Sequence, residues 1–167
     1  MGVFTATRYV RTIDMVEVSW LKELGIRCVL MDRDNTCVPR DTKVAPPSVM
    51  AWIEQVHAAG IPTCIVSNNF HSKQVERSAR ELDSEVVHHA MKPAPFAVKH
   101  ALRKMGVSPS EAILIGDQVY TDVVAGNLAG LRTVLVRPQS TTDLWYTHIF
   151  RLGEALVLRG VNFEGED

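Results

Sequence analysis

An α/β fold built on a doubly wound parallel sheet is predicted by three observations. Strand-like and helix-like segments alternate along the 167 residues, the pattern left by repeated βα units. The strand-like runs are short and largely apolar, as buried strands are. Each ends in polar residues, at the edge where open α/β sheets gather their ligands.

The elements follow in order. Ile26-Arg-Cys-Val-Leu-Met31 is β-rich and reads as the first strand. Pro46-Pro47-Ser48 opens a helix with Val49, Ile53 and Val56 at helical spacing, closed by Gly60. Ile61 to Val66 is the second strand, and residues 70–82 form a surface helix with Val75, Ala79 and Leu82 on one face. Val86-Val87 is a short strand before Lys92-Pro93. A helix with Ala97, Ala101, Leu102 and Met105 inward then ends at Gly106. Ser108-Pro-Ser-Glu111 turns into a fourth strand, Ala112 to Ile115. A helix from about Val119 to Ala129 leads through Gly130 to a fifth strand, Arg132 to Val136, which Pro138 terminates. The expected core is Rossmann-like with about five strands, without internal repeats.

Bulk properties narrow the function classes. The apolar fraction of 46% and charged fraction of 22% are those of a soluble globular protein. A formal net charge of −1 supplies no overall field for nucleic acid or an anionic membrane. No apolar run approaches the roughly 20 residues of a membrane-spanning helix, and charges through the first 17 residues interrupt any signal-peptide core. Three cysteines without metal-type spacing suggest reduced thiols and a cytoplasmic setting. Cys28 and Cys64 fall in strands, and Cys37 is expected to be a spectator. The six histidines show no ligand spacing.

Chemistry concentrates at the strand ends. Asp32 and Asp34 follow the first strand, and residues two apart in an extended segment share a side. The second strand delivers Ser67-Asn68-Asn69, the third Lys92-Pro93, and the fourth Gly116-Asp117 with Asp122. Two acids, a hydroxyl, a lysine and two further acids make a site for Mg²⁺ and a phosphate, since Mg²⁺ favours hard oxygen ligands and substrate phosphate. Duller readings exist for each alone. Asp34, Asn35 and Asp122 could cap turns or helices, Ser67-Asn68-Asn69 a helix N-terminus, Lys92 could be a solvated lysine, and Gly116-Asp117 a turn. Independent turns would not place the right residue after each successive strand, so these readings fail together.

Asp32-Arg-Asp-Asn-Thr36, Ser67-Asn-Asn69, Lys92-Pro93 and Gly116-Asp-Gln-Val-Tyr-Thr-Asp122 resemble, in order and spacing, the four motifs of the haloacid dehalogenase superfamily. In detail they look like its subfamily IIIA, the YqeG-like group, which is similar to mitochondrial phosphatidylglycerophosphate phosphatases. The resemblance implies Asp32 as nucleophile, Asp34 as general acid and base, and Thr36 as a loop-stabilising residue beside the phosphate. It implies Ser67, Asn68 and Lys92 as phosphate-binding groups. Mg²⁺ would be held by Asp32, the backbone carbonyl of Asp34, Asp117 and Asp122. It extends to the flanks, implying one domain over 1–167 with a helical lead-in over 1–25, a catalytic core over 26–137 and a C-terminal helix over 141–160. Arg33 and Cys37 depart from the usual apolar residue and Leu. Arg33 either brings a positive charge to the site or points to solvent.

Substrate choice in that superfamily rests on inserted cap domains. About 30 residues separate Thr36 from Ser67, which one helix and one strand use up, and Ser67 to Lys92 is equally short. No cap is expected, so the open site suits a large substrate or an oligomer whose neighbouring copy supplies a lid. Asp143 to Arg159 carries Leu144, Trp145, Ile149, Phe150, Leu152, Ala155, Leu156, Val157 and Leu158. Its broad apolar face reads as a cover for the sheet, then as a dimer contact, then as a peripheral membrane helix with Trp145 and Tyr146 at headgroup level. The expected activity is that of a Mg²⁺-dependent phosphomonoesterase for a lipid phosphate such as phosphatidylglycerophosphate. The alternatives are a soluble sugar-phosphate or nucleotide phosphatase and a non-catalytic phosphate-binding module.

Overall fold

The run Cys28–Met31 is buried on both faces, and alternation of side chains divides it between two cores. Val29 and Met31 join Ile65, Ile113 and Ile115 in one apolar cluster, while Cys28 and Leu30 join Cys64, Val66 and Leu114 in the other. The computed structural model describes residues 2–141 and 145–166. Along them run β1 (Arg8–Val10), α1 (Val18–Glu23), β2 (Cys28–Met31), α2 (Pro47–Ala58), β3 (Thr63–Val66) and α3 (Ser72–Glu81). Then come β4 (Glu85–Val87), α4 (Phe96–Met105), β5 (Ala112–Gly116), α5 (Val124–Ala129), β6 (Arg132–Val136) and α6 (Trp145–Val157).

The described strands form one parallel sheet in the order β1-β6-β5-β2-β3-β4. α2 and α3 cover one face through Val49, Trp52, Ile53, Val56, Val75 and Ala79; α4 and α5 cover the other through Val98, Ala101, Leu102, Ala125 and Ala129. Each such buried Val, Leu or Ile side chain stabilises the fold by about 1.5–3 kcal/mol. The doubly wound architecture expected from the sequence is therefore present.

Register brings the chemistry together. Met31 lies opposite both Ile65 and Ile115, so β2, β3 and β5 end almost level. The ladder runs on past them: Asp32 N–H donates to the Ile115 carbonyl at 2.9 Å, and Ser67 N–H to the Val87 carbonyl at 3.0 Å. Asp32, Ser67 and Asp117 thus leave the sheet along one edge. Between Asp32 and Ser67 lie α2 and β3, and between Ser67 and Lys92 lie α3 and β4, with no separate cap among these described residues.

Three elements differ from expectation. The lead-in over 1–25 is not helical throughout: it contains β1, a 3₁₀ turn at Ile13–Met15 and the six residues of α1. β1 pairs with β6, giving six strands in place of five. The helix expected from Val119 begins as a π-turn over Val119–Val123 before α5, and such widened turns recur at functional sites.

The third is α6, whose amphipathicity is inverted. Arg151 and Glu154 turn inward onto the loop after β5, while Ile149, Leu152 and Leu156 are 64%, 75% and 77% exposed. Val157 and, just past its end, Leu158 pack against apolar residues around Val119 and Leu135, and Phe150 meets the Tyr120 ring. Asp143 and Leu144 lie outside the described residues, and of Trp145 and Tyr146 only the helical backbone is described. No described helix is long and apolar enough to cross a membrane.

Candidate active site

Lys92 is the electrostatic centre of the edge. The turn from β4 delivers it through left-handed residues at His89 and Met91, and Asn68 clamps its backbone: Lys92 N–H donates to Asn68 Oδ1 at 2.8 Å, and Asn68 Nδ2 to the Lys92 carbonyl at 3.0 Å. Lys92 Nζ then reaches Asp32 Oδ1 at 3.1 Å and Asp122 Oδ1 at 2.5 Å. Burial alone would lower the lysine, but Asp122 and Asp32 outweigh it and hold Lys92 above its usual value, so it stays charged.

The acids are crowded. Asp32, Asp117 and Asp122 each offer an oxygen within 4.8 Å of the others. Burial, then Asp122, pushes Asp117 up to about 6 against the pull of Arg151. Burial also holds Asp32 well above the usual carboxylate range, with Lys92 opposing it and the neighbouring acids adding to it. Three buried oxygen donors that resist sharing their charge fit a hard divalent cation, which would relieve that repulsion. The π-turn fixes the third of them: Asp122 Oδ2 accepts the backbone N–H groups of Asp117 and Gln118 at 3.1 and 3.2 Å. Gly116 makes this approach feasible, because a Cβ there would overlap the Asp122 carboxyl. Gly116→Ala is expected to destabilise by about 1–3 kcal/mol through overpacking. Turnover should fall on the order of 100-fold as Asp122 shifts; a thermal melt and a rate measurement check the two.

Asp34 faces the same cavity from another support. Arg33 is 4% exposed; its Nη1 donates to Asp34 Oδ1 at 2.5 Å and its Nε to Ser78 Oγ on α3 at 2.8 Å. It therefore brings charge to the site and ties it to a helix. Asn69 Nδ2 holds Asp34 Oδ2 at 3.1 Å. The loop that follows is a built turn: Asn35, at φ 58°, donates its N–H to the Val38 carbonyl at 2.8 Å, and its Oδ1 accepts the Arg40 N–H at 2.9 Å and the Ser140 hydroxyl at 2.6 Å. Asparagine tolerates the left-handed conformation this requires.

A cavity of about 210 Å³ is lined by Asp32, Asp34, Asn68 and Lys92, together with Arg40, Asn69, Phe70, Gln118 and Phe150 among others. Thr36 and Ser67 stand behind its wall, both buried; Thr36 Oγ1 donates to Asp117 Oδ1 at 3.4 Å, and Ser67 Oγ accepts the Asn69 N–H at 3.1 Å. The Asp34 carboxylate is not part of the acidic trio. Cys37 is buried, and burial followed by Asp32 pushes its thiol up, away from the reactive thiolate.

Sequence reasoning missed Asn69, Arg40, Arg151 and Glu154. Arg151 Nη2 pairs with Asp117 Oδ2 at 2.7 Å and its Nη1 donates to the Asp117 carbonyl at 2.7 Å, while Glu154 Oε1 accepts the Val119 N–H at 2.5 Å. Asn69 stood in a visible motif. Nothing local marked the other three.

Comparison with known proteins shows the family. A family model described as haloacid dehalogenase-like hydrolase matches residues 3–130. The chain is 32% identical over 162 residues to the Bacillus subtilis protein named probable phosphatase YqeG, covering 97% of this chain and 94% of that one. It is 28% identical over 145 residues to the Arabidopsis thaliana chloroplastic/mitochondrial phosphatidylglycerophosphate phosphatase 1, covering 81% of this chain and 42% of that one. The solved structure of deoxy-D-mannose-octulosonate 8-phosphate phosphatase from Haemophilus influenzae shares the fold, with a TM-score of 0.56 at 15% identity over 83% of this chain and 90% of that one.

Proposed function

The chain belongs to the haloacid dehalogenase-like hydrolase family and to its phosphatases, and we propose that it is a Mg²⁺-dependent phosphomonoesterase working through a phosphorylated Asp32. The observation that carries this is the placement of two carboxylates, Asp32 and Asp34, on the wall of one cavity with a buried, charged lysine. Asp32 attacks phosphorus and displaces the alkoxide, which takes a proton from Asp34. Asp34 then accepts a proton from water as that water hydrolyses the acyl phosphate, regenerating Asp32 and releasing inorganic phosphate. Lys92 meets the phosphate oxygens, Ser67 supports the Asn69 backbone from behind the wall, Asn68 holds Lys92 in place, and Thr36 steadies Asp117. Asp32, Asp117, Asp122 and the Asp34 carbonyl would hold Mg²⁺, which would supply charge neutralisation to the phosphoryl group.

A lipid phosphate of the phosphatidylglycerophosphate type is the proposed substrate. The cavity is smaller than typical small-molecule pockets of about 300–1,000 Å³, so it suits a phosphorylated head whose bulk stays outside. α6 lends Phe150 to the cavity wall and carries the exposed Leu152 and Leu156, an apolar surface on the same helix. Phosphate release from micellar phosphatidylglycerophosphate and from soluble monoesters, with Mg²⁺ or with EDTA, tests the reading. Release is expected with Mg²⁺ and not with EDTA; no release from any monoester would refute it. Leu152→Asp with Leu156→Asp should leave the melting temperature nearly unchanged, because exposed substitutions cost within about 0.5 kcal/mol. The same pair should lower the micellar rate alone. An equal loss on soluble substrate would remove the lipid assignment.

A further inference from the structure

We propose that Arg40 forms a subsite for a second anionic group, carried by the leaving group of the substrate a few atoms from the phosphate. The inference rests on the reading of Asp34 as the proton donor to the leaving oxygen, since Arg40 is reached across Asp34. Three of the cations around the cavity have their charge met at hydrogen-bonding distance. Lys92 bonds Asp32 and Asp122, Arg33 bonds Asp34 and Ser78, and Arg151 bonds Asp117 and Glu154. Arg40 differs. Its Nη1 stands 3.8 Å from Asp34 Oδ2, too far for a hydrogen bond, and its Nε is buried without a partner among the described residues.

Asp34 cannot readily close that gap, because Arg33 already holds its Oδ1 and Asn69 its Oδ2. The guanidinium is nevertheless kept in place. The turn locked by Asn35 anchors its backbone, and its side chain is 20% exposed on the cavity wall. Nε is closed off, but the terminal nitrogens of a guanidinium on the cavity wall match a carboxylate or a phosphate oxygen pair. Its position beside the proton donor Asp34 puts that anion on the departing half of the substrate and not on the phosphoryl group being transferred. The structure thus assigns a substrate class: phosphomonoesters whose alcohol portion is itself anionic, through a carboxylate or a phosphodiester.

Calorimetry with Mg²⁺ present and two stable phosphonates tests the subsite without requiring turnover. Wild type is expected to bind 3-phosphonopropionate about tenfold or more tightly than propylphosphonate, and Arg40→Gln to lose that preference. Arg40→Lys, which keeps the charge without the fork, should retain part of it. No preference in the wild type, or equal weakening of both ligands by Arg40→Gln, would overturn the proposal; the latter would place Arg40 on the phosphoryl group itself. Turnover then separates the sources of the anion. Phosphoglycolate carries a carboxylate, short-chain phosphatidylglycerophosphate a diester, and glycerol 3-phosphate neither. Absence of turnover on all three would remove the phosphatase reading, while the phosphonate result would still decide the role of Arg40.

Discussion

Asp32→Asn is expected to reduce phosphate release by on the order of 10⁴-fold or more, because an amide cannot form the acyl phosphate through which the reaction divides. The substitution keeps shape and volume, so packing around Met31 and Ile115 is undisturbed. Its effect on stability should run the other way. Burial holds Asp32 well above its usual range; Lys92 opposes this, and Asp122 and Asp117 add repulsion. Removing that carboxylate relieves the crowding, while Lys92 keeps its 2.5 Å bond to Asp122. A melting temperature equal to or above that of the wild type in EDTA, together with lost turnover, is the expected pair of results. Retained turnover would remove Asp32 as nucleophile; a lower melting temperature would show that its contact with Lys92 outweighs the repulsion.

Lys92→Met should do the opposite and unfold easily. It removes the cation shared by Asp32 and Asp122 and leaves both acids buried beside Asp117. Breaking a buried pair by deleting one partner costs about 3–5 kcal/mol. For a chain of this length that corresponds to a fall of about 10 °C, at roughly 2–4 °C per kcal/mol. Mg²⁺ should recover part of the loss, because a divalent cation can take over the countercharge, and the recovery should exceed the Mg²⁺-induced shift of the wild type. Melts with and without Mg²⁺ check this. Equal shifts in both proteins would mean that the trio does not hold the ion.

What was legible in the sequence follows from which forces act locally. β2, β3 and β5 announce themselves because each is covered on both faces and must be apolar throughout. Their ends had to converge once the sheet was parallel, which brought Asp32, Ser67, Lys92 and Asp117 together. β1 was missed because three residues are too few to display a period, and it is a strand only through its pairing with β6. The direction of Arg33 was undetermined because it depends on Ser78, 45 positions away on α3. Arg40 is placed by the hydrogen bonds of Asn35 and not by any period. In α6 the apolar pattern misled: its leucines pointed to burial, whereas two charged residues three apart do the docking.

The bond between Arg151 and Asp117 redraws the boundary of the catalytic unit. A fragment ending after β6 would retain every strand and every motif, and on paper would look complete. It would lack the guanidinium that balances Asp117, the carboxylate that receives Val119 N–H, and Phe150 on the cavity wall. The minimal functional segment is therefore expected to extend to at least Glu154, and a fragment trimmed after β6 should lose activity relative to one that keeps the last helix.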